Sequence, residues 1–236
     1  MDYSLINLQW DSNFFGFPVS QLKKDSVRVE DLKDIYSNTD ARLIYYFTSQ
    51  LISDEVSNNN YFSTKLVDTK VAIFKPLKVD AKMHPKVEIY EDDKVDERLR
   101  HLALTAGTHS RFFKDDNISY SKSKELYQIW IDKSVQRIMA DIVLVYREND
   151  NIIGFITINT KGIQPHVSLL AVDPLHEGKG VSFALMNSME SILFEKGYKI
   201  VKSETQAQNK KALSIYRRQG VEFGEKHFIY HFWRNN

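Results

Sequence analysis

Two stretches of this 236-residue chain combine residue types and spacings that could do chemistry. The first is Gly178-Lys179-Gly180-Val181-Ser182, which follows an apolar run ending at Asp173-Pro174 and precedes a helical pattern. Small residues at a helix start leave backbone N–H groups uncovered, and the helix dipole adds partial positive charge there. Such a turn suits phosphate or pyrophosphate, with Lys179 as a point charge. The same residues also read as a tight turn with one exposed lysine. They make neither a P-loop, for want of Gly-x-x-x-x-Gly-Lys-Ser/Thr, nor the dinucleotide fingerprint, for want of a third glycine. In the second stretch, 205–220, Asn209, Ala212 and Tyr216 recur at three- and four-residue spacing and share one helix face. Asn209 brings an amide donor and acceptor, and Tyr216 a hydroxyl on an apolar ring.

The elements that must position these residues alternate between strand and helix. A helix is expected over 95–108, capped by Asp92 or Asp93, and another over 123–140 with Tyr127, Trp130, Ile131 and Ile138 on its apolar side. The segment between them, 109–116, reads as a loop. Strands follow at 142–146 and 152–158, separated by a hairpin signal at Glu148-Asn149-Asp150-Asn151. A nearly wholly apolar strand at 167–172 belongs inside a sheet. Then come a helix over 181–196 closed by Gly197, a strand over 199–205, a helix over 209–219 closed by Gly220 and a strand over 223–233. Ahead of all this, 43–47 and 66–74 read as strands, and the aromatic stretch 10–19 as a packed turn or strand end whose Trp10, Phe14, Phe15 and Phe17 join the core. The Pro-punctuated link near Pro76 and Pro85 divides an N-terminal α/β domain, 1–80, from a second unit, 86–236. This order predicts an α/β fold of the α+β mixed-sheet kind, with a parallel crossover after the 167–172 strand.

Composition narrows the class. Thirty-two Lys+Arg stand against 31 Asp+Glu, so no charge argument favours nucleic acid or an anionic membrane as partner. No apolar run approaches the ~20 residues of a membrane span, and the N-terminus lacks a leader pattern. The absence of Cys excludes thiol nucleophiles and thiolate metal sites and fits a cytoplasmic protein.

The arrangement over 86–233 resembles the GNAT superfamily of CoA-dependent N-acyltransferases. Its pyrophosphate motif, Gln/Arg-Gly-x-Gly-x-Gly/Ala after a strand, is matched by Glu177-Gly178-Lys179-Gly180-Val181-Ser182, with departures at Glu177 and Ser182. The later Asn-x-x-Ala-x-x-x-Tyr element is matched in full. Trp10 to Gly16, Ser110-Arg111-Phe112, Tyr127 to Ile131 and Thr205-Gln206-x-x-Asn209 resemble in addition the nucleotide-sugar N-acetyltransferases, among them the group acylating dTDP-4-amino-4,6-dideoxygalactose (dTDP-fucosamine). The resemblance implies a GNAT fold behind an N-terminal domain, acyl-CoA (acetyl or longer) as co-substrate without a metal, a dTDP-linked amino sugar as acceptor in O-antigen or other lipopolysaccharide synthesis, and a homodimer.

It also assigns roles. Backbone groups of Leu170, Ala171 and Val172 polarise the thioester. Gly178, Lys179, Gly180, Val181 and Ser182 hold the pyrophosphate, with Asn209, Ala212 and Tyr216 further along the cofactor. Tyr216 protonates the departing thiolate, as a phenol of pKa ~10 can towards a thiol of pKa ~8.5. The amine's proton passes to His109, His166 or Glu204, or along water to bulk. Arg111 is an anion ligand for the nucleotide or a loop arginine paired with Asp115 or Asp116, and Phe112 or Phe113 stacks on base or sugar. His109, Arg111 and Phe112 thereby form the acceptor site. Two other readings stay open: a GNAT enzyme acting on a peptide N-terminus, polyamine or other small amine, and a non-catalytic CoA-binding module, for which Glu177 and Ser182 argue. The shared outline of 58–77 and 219–234, a polar turn, an aromatic and a long alternating strand, suggests that the first 80 residues are a degenerate half of the same fold without the pyrophosphate loop, serving as lid or acceptor platform.

Overall fold

Apolar runs from both ends of the chain pair into one ten-stranded sheet with helices on both faces. In the computed structural model, which describes residues 2–235, the elements are β1 (Ser4–Asn7), α1 (Gln9–Phe15), β2 (Val19–Lys23), α2 (Val29–Asn38), β3 (Leu43–Thr48), α3 (Asp54–Ser57), β4 (Phe62–Pro76), β5 (Val87–Ile89), α4 (Glu97–Gly107), α5 (Arg111–Lys114), α6 (Tyr120–Val135), β6 (Ile142–Glu148), β7 (Asn151–Asn159), β8 (His166–Val172), α7 (Val181–Glu195), β9 (Ile200–Gln206), α8 (Lys210–Arg218) and β10 (Glu222–Arg234). The strand order is β1-β2-β3-β10-β4-β9-β8-β7-β6-β5. Only β2–β3 and β8–β9 are parallel, so the mixed α/β sheet expected from the order of elements is the one observed.

That order contains an internal symmetry. Apart from α1, which is inserted between β1 and β2, β1-β2-α2-β3-α3-β4 repeats the connectivity of β7-β8-α7-β9-α8-β10: an antiparallel pair, a helical crossover to a parallel strand, a second helix and a long last strand. The last strands are exchanged. β10 lies between β3 and β4, and β4 lies between β10 and β9, so each half's third strand pairs with the other half's last. The degenerate repeat suggested by the sequence is present as topology, and the polar link falls at the loop between β4 and β5.

Helices cover the faces according to side-chain parity. Leu144, Ile156 and Val167 meet α7 through Val181, Leu185, Met189 and Leu193. Their neighbours Val143, Val145, Phe155, Leu169 and Ala171 face α4 and α6 through Leu99, Leu102, Tyr127 and Ile131. Each such fully buried aliphatic side chain contributes about 1.5–3 kcal/mol. Several expectations need correction. The 10–19 stretch is a helix followed by a strand, because Gly16 takes the left-handed conformation (φ 80) that ends α1 and redirects the chain. Trp10 is 40% exposed, stacked on Phe14 outside the core. Asp96, neither Asp92 nor Asp93, caps α4, its carboxylate accepting the Arg98 N–H at 2.7 Å. Residues 111–114 form a helical turn inside the expected loop. α6 starts at Tyr120 and stops at Val135, so Ile138 lies exposed beyond it. The hairpin holds, with Asn149 and Asp150 both at positive φ. No helix among the described residues is long and apolar enough to cross a membrane.

Two buried polar contacts stand out, the first of them between the halves. Lys75 on β4 lies 3.2 Å from Glu190 on α7. Asp115, just after α5, accepts from His231 Nδ1 at 2.5 Å and Trp233 Nε1 at 2.8 Å, both on β10. Burial pulls the His231 pKa down to about 4, so the imidazole is neutral and donates. Between about pH 6.5 and 4 the unfolded chain binds a proton at His231 that the folded chain refuses. Stability therefore rises with pH across that window and falls by about 3 kcal/mol on acidification through it. Urea titrations at pH 7 and pH 4.5 check this: His231→Gln is expected to flatten the dependence relative to wild type, and equal slopes would remove His231 as its source.

Candidate active site

The candidate site forms where two neighbouring strands stop pairing. β8 and β9 are joined only at His166↔Lys202, after which they part. The cause lies on the opposite edge of β8. Its ladder with β7 runs Thr157↔Leu169 and then Ile158↔Val167, which leaves Ser168 as an extra residue. A bulge of this kind bends its strand and increases its twist. The fully buried Thr157 hydroxyl accepts the Leu169 N–H at 3.0 Å, and the Ser203 hydroxyl donates to the Val167 carbonyl at 2.8 Å across the start of the gap. On the β9 side, Leu170, Ala171 and Val172 have no strand partner. A cleft of about 710 Å³ passes through the sheet here, lined by α7 and α8 on one face and by α4, α5, α6 and β4 on the other.

On the first face, Gly178 (φ 75) and Gly180 (φ 81) adopt left-handed conformations that L side chains resist, and Gly180 leads into α7 without a side-chain cap. The uncapped N–H groups of Val181 and Ser182 thus open on the cleft. α7 comes this close because of Gly154 on β7, where a Cβ would stand 2.8 Å from Val181 Cγ1 and 3.2 Å from the Ala171 carbonyl. Glu177, a departure from the motif, also lines the cleft, where its carboxylate is ion-paired with Lys211. Lys179 is exposed and lies outside the cleft lining; Lys211 and Arg218 are the cationic side chains on that wall. Asn209 caps α8, its Oδ1 accepting the Ala212 N–H at 3.0 Å. Tyr216 is 9% exposed, packed on Ile73, Met186 and Val221, and burial pushes its phenol up to about 12. It therefore stays protonated throughout the neutral range.

The second face departs further from expectation. His109 is exposed and does not line the cleft, since the turn after α4 directs it to solvent. Glu204 does line it, but Lys70 already holds it at 3.0 Å. Burial alone would raise the Glu204 pKa; Lys70, with His227 and His166, outweighs that and holds it below the usual range. His166 also lines the cleft, and burial lowers its pKa. Arg111 is paired with neither Asp115 nor Asp116, which go to His231 and Lys65. Its guanidinium stands 4.5 Å from the ring centres of Tyr45 and Phe112 and 5.1 Å from that of Phe47. Phe112 lines the cleft but is largely covered by Phe15, Tyr45, Trp130 and His231, whereas Phe113, packed by Tyr120 and Tyr127, does not line it.

Sequence reasoning missed Asp68 on β4. It lines the second face, is 3% exposed, and neither carboxylate oxygen has a hydrogen-bond partner. A second bulge places it: β10 pairs Ile229↔Asp68 and Tyr230↔Leu66, which leaves Val67 extra and buries two consecutive residues. The available signal was a lone carboxylate inside an otherwise alternating strand.

Comparison with known proteins adds to this geometry. Residues 106–221 match the sequence model described as the Acetyltransferase (GNAT) family. Over 137 residues the chain is 27% identical to the spore coat polysaccharide biosynthesis protein SpsD of Bacillus subtilis (strain 168), covering 58% of this chain and 47% of that protein, about half its length. Among solved structures, a functionally unknown conserved protein from Staphylococcus epidermidis ATCC 12228 superposes with a TM-score of 0.62 at 13% identity, covering 92% of this chain and 85% of that one. A GCN5-related N-acetyltransferase from Kribbella flavida superposes at 0.53 and 10% identity, covering 93% and 82%. These two share the fold.

The opening between β8 and β9 depends on one buried hydroxyl. Thr157→Val keeps the shape but orphans the Leu169 N–H, and a loss of about 1–3 kcal/mol is expected in urea unfolding. Stability at the wild-type value would mean that the bulge is held by other contacts.

Proposed function

On the footing that residues 106–221 belong to the GNAT acetyltransferase family, a family of acyltransferases that use acyl-CoA, we propose that this protein moves an acyl group from acyl-CoA to the amino group of a nucleotide-linked amino-deoxysugar, a dTDP-sugar of the 4-amino-4,6-dideoxy type. The observation that carries the reading is the cleft itself, which joins an uncapped helix N-terminus to a buried tyrosine through the gap beside β8. The first N–H groups of α7 hold the pyrophosphate, helped by Arg218. Unpaired backbone groups of Leu170 to Val172 polarise the thioester carbonyl, whose carbon the free amine attacks directly. Tyr216 donates its proton to the departing sulfur. Although its phenol is a weaker acid than in water, a thiolate leaving into the same apolar pocket is destabilised by the same desolvation, so the donor remains matched to its task.

The sugar acceptor draws support from the polysaccharide role named for the Bacillus relative and from the cationic Arg111 at the second face. A homodimer belongs to this reading through the resemblance alone. Acylation of a peptide N-terminus or polyamine is the competing acceptor class. The non-catalytic alternative loses its main motive, since Glu177 is neutralised by Lys211.

Free-thiol release from acetyl-CoA should be at least about a hundredfold more efficient with dTDP-4-amino-4,6-dideoxygalactose than with spermidine or a glycine-terminated peptide. Preference for one of the latter would replace the acceptor. Tyr216→Phe is expected to lower turnover at least about tenfold while the acetyl-CoA Kd, by calorimetry, stays within about twofold. Unchanged turnover removes Tyr216 as the acid, and no heat of acetyl-CoA binding in wild type removes the enzyme reading.

A further inference from the structure

Asp68 is a buried carboxylate at the acceptor face without a side-chain partner, on a strand supplied by the half of the chain that lacks the pyrophosphate loop. An unpaired buried charge is costly and calls for a partner. Among the described residues no cation forms an ion pair with it. Lys70 pairs with Glu204, Lys114 donates to Gln208 at 3.1 Å, and Arg111 is stacked among three rings with no ion pair to Asp68 within 4 Å. The missing partner is thus a donor that arrives with the ligand.

Resting on the acyl-transfer reading, we infer that Asp68 is a catalytic residue that receives the acceptor's ammonium group and takes its proton. The step balances. One proton moves from the ammonium to the Asp68 carboxylate, leaving a free amine whose lone pair forms the C–N bond to the thioester carbon. The carbonyl π pair moves to oxygen and returns as the C–S bond breaks. The sulfur takes the Tyr216 proton, the nascent amide nitrogen's surplus proton restores the phenol, and Asp68 releases its proton to solvent. The net products are amide, CoA thiol and one proton. Burial raises the Asp68 carboxyl above its ordinary range against the lowering pull of Lys114, Lys70, the adjoining Thr69 backbone N–H and Arg111, which makes it a better base than a solvated aspartate. Glu204 is shifted the opposite way by its lysine, and His166 is a weakened base.

The test uses the full chain with acetyl-CoA and whichever of the three amines named above wild type acylates best. Asp68→Asn, which keeps shape and removes basicity, should lower kcat/KM at pH 7 at least about a hundredfold. Its residual rate should climb with pH as free amine forms in solution, with the acetyl-CoA Kd unchanged. Asp68→Ser should behave alike, and Asp68→Glu should recover part of the rate. If dTDP-4-amino-4,6-dideoxygalactose is the acceptor, calorimetry should show wild type preferring it over dTDP-6-deoxygalactose, with the preference lost in Asp68→Asn. Asp68→Asn or Asp68→Ser within about threefold of wild type, or a retained amine preference, overturns the assignment of Asp68 alone. Wild-type activity only towards spermidine or the peptide overturns the sugar acceptor alone, and inactivity towards all three amines overturns both.

Discussion

The exchange of β4 and β10 is the constraint on which the rest of the molecule depends. Neither half can complete its hydrogen-bond ladder with its own strands: β3 needs β10 and β9 needs β4. Because every buried backbone N–H and C=O must be paired, the exchange binds the halves more firmly than side-chain contact between finished domains could. It also decides which residues meet. β4 carries Asp68 into a cleft otherwise built by the second half, and β10 carries His231 and Trp233 to Asp115 beside the Arg111 helix. The half without a pyrophosphate loop is therefore a wall of the site.

Within that frame the site is made by controlled departures from regular structure. One extra residue in β8 parts it from β9, and one extra residue in β4 turns a carboxylate inward. Both irregularities are supported by ordinary chemistry, a buried threonine hydroxyl in one case and the β10 ladder before and after the extra residue in the other. Desolvation then acts on the groups placed there, holding Tyr216 in its protonated form and raising the proton affinity of Asp68. The same burial that would destabilise an isolated polar group thus raises the pKa of a phenol and of a carboxylate on opposite faces of one opening.

The second half was readable from sequence because its signals are local: glycine turns, periodic apolar faces and the Asn209–Ala212–Tyr216 spacing each act over a few residues. The repeat was readable too, from the matching outlines of its last strands. The second face of the cleft was not. His109 and Glu204 have the right chemistry for a base, but the side-chain direction of one and the lysine partner of the other depend on tertiary placement. Phe112 carried the composition of a stacking residue and is enclosed by four rings from distant elements. Asp68 was hidden because its burial comes from a bulge against a strand more than 150 residues away in sequence. Gly154 looked like any strand glycine until α7 was seen resting on it.

The exchanged strands also set an order of events during synthesis. β4 leaves the ribosome early but has no neighbour on either side until β9 and β10 exist, and β10 spans Glu222–Arg234. The first half thus waits with an open slot in its sheet, an exposed edge of the sort that invites wrong pairing. Catalytic competence cannot accumulate domain by domain in such a chain. It arrives in one closing event, when the last strand slides between the two that precede it in space, and a nascent chain short of that strand has no active site at all.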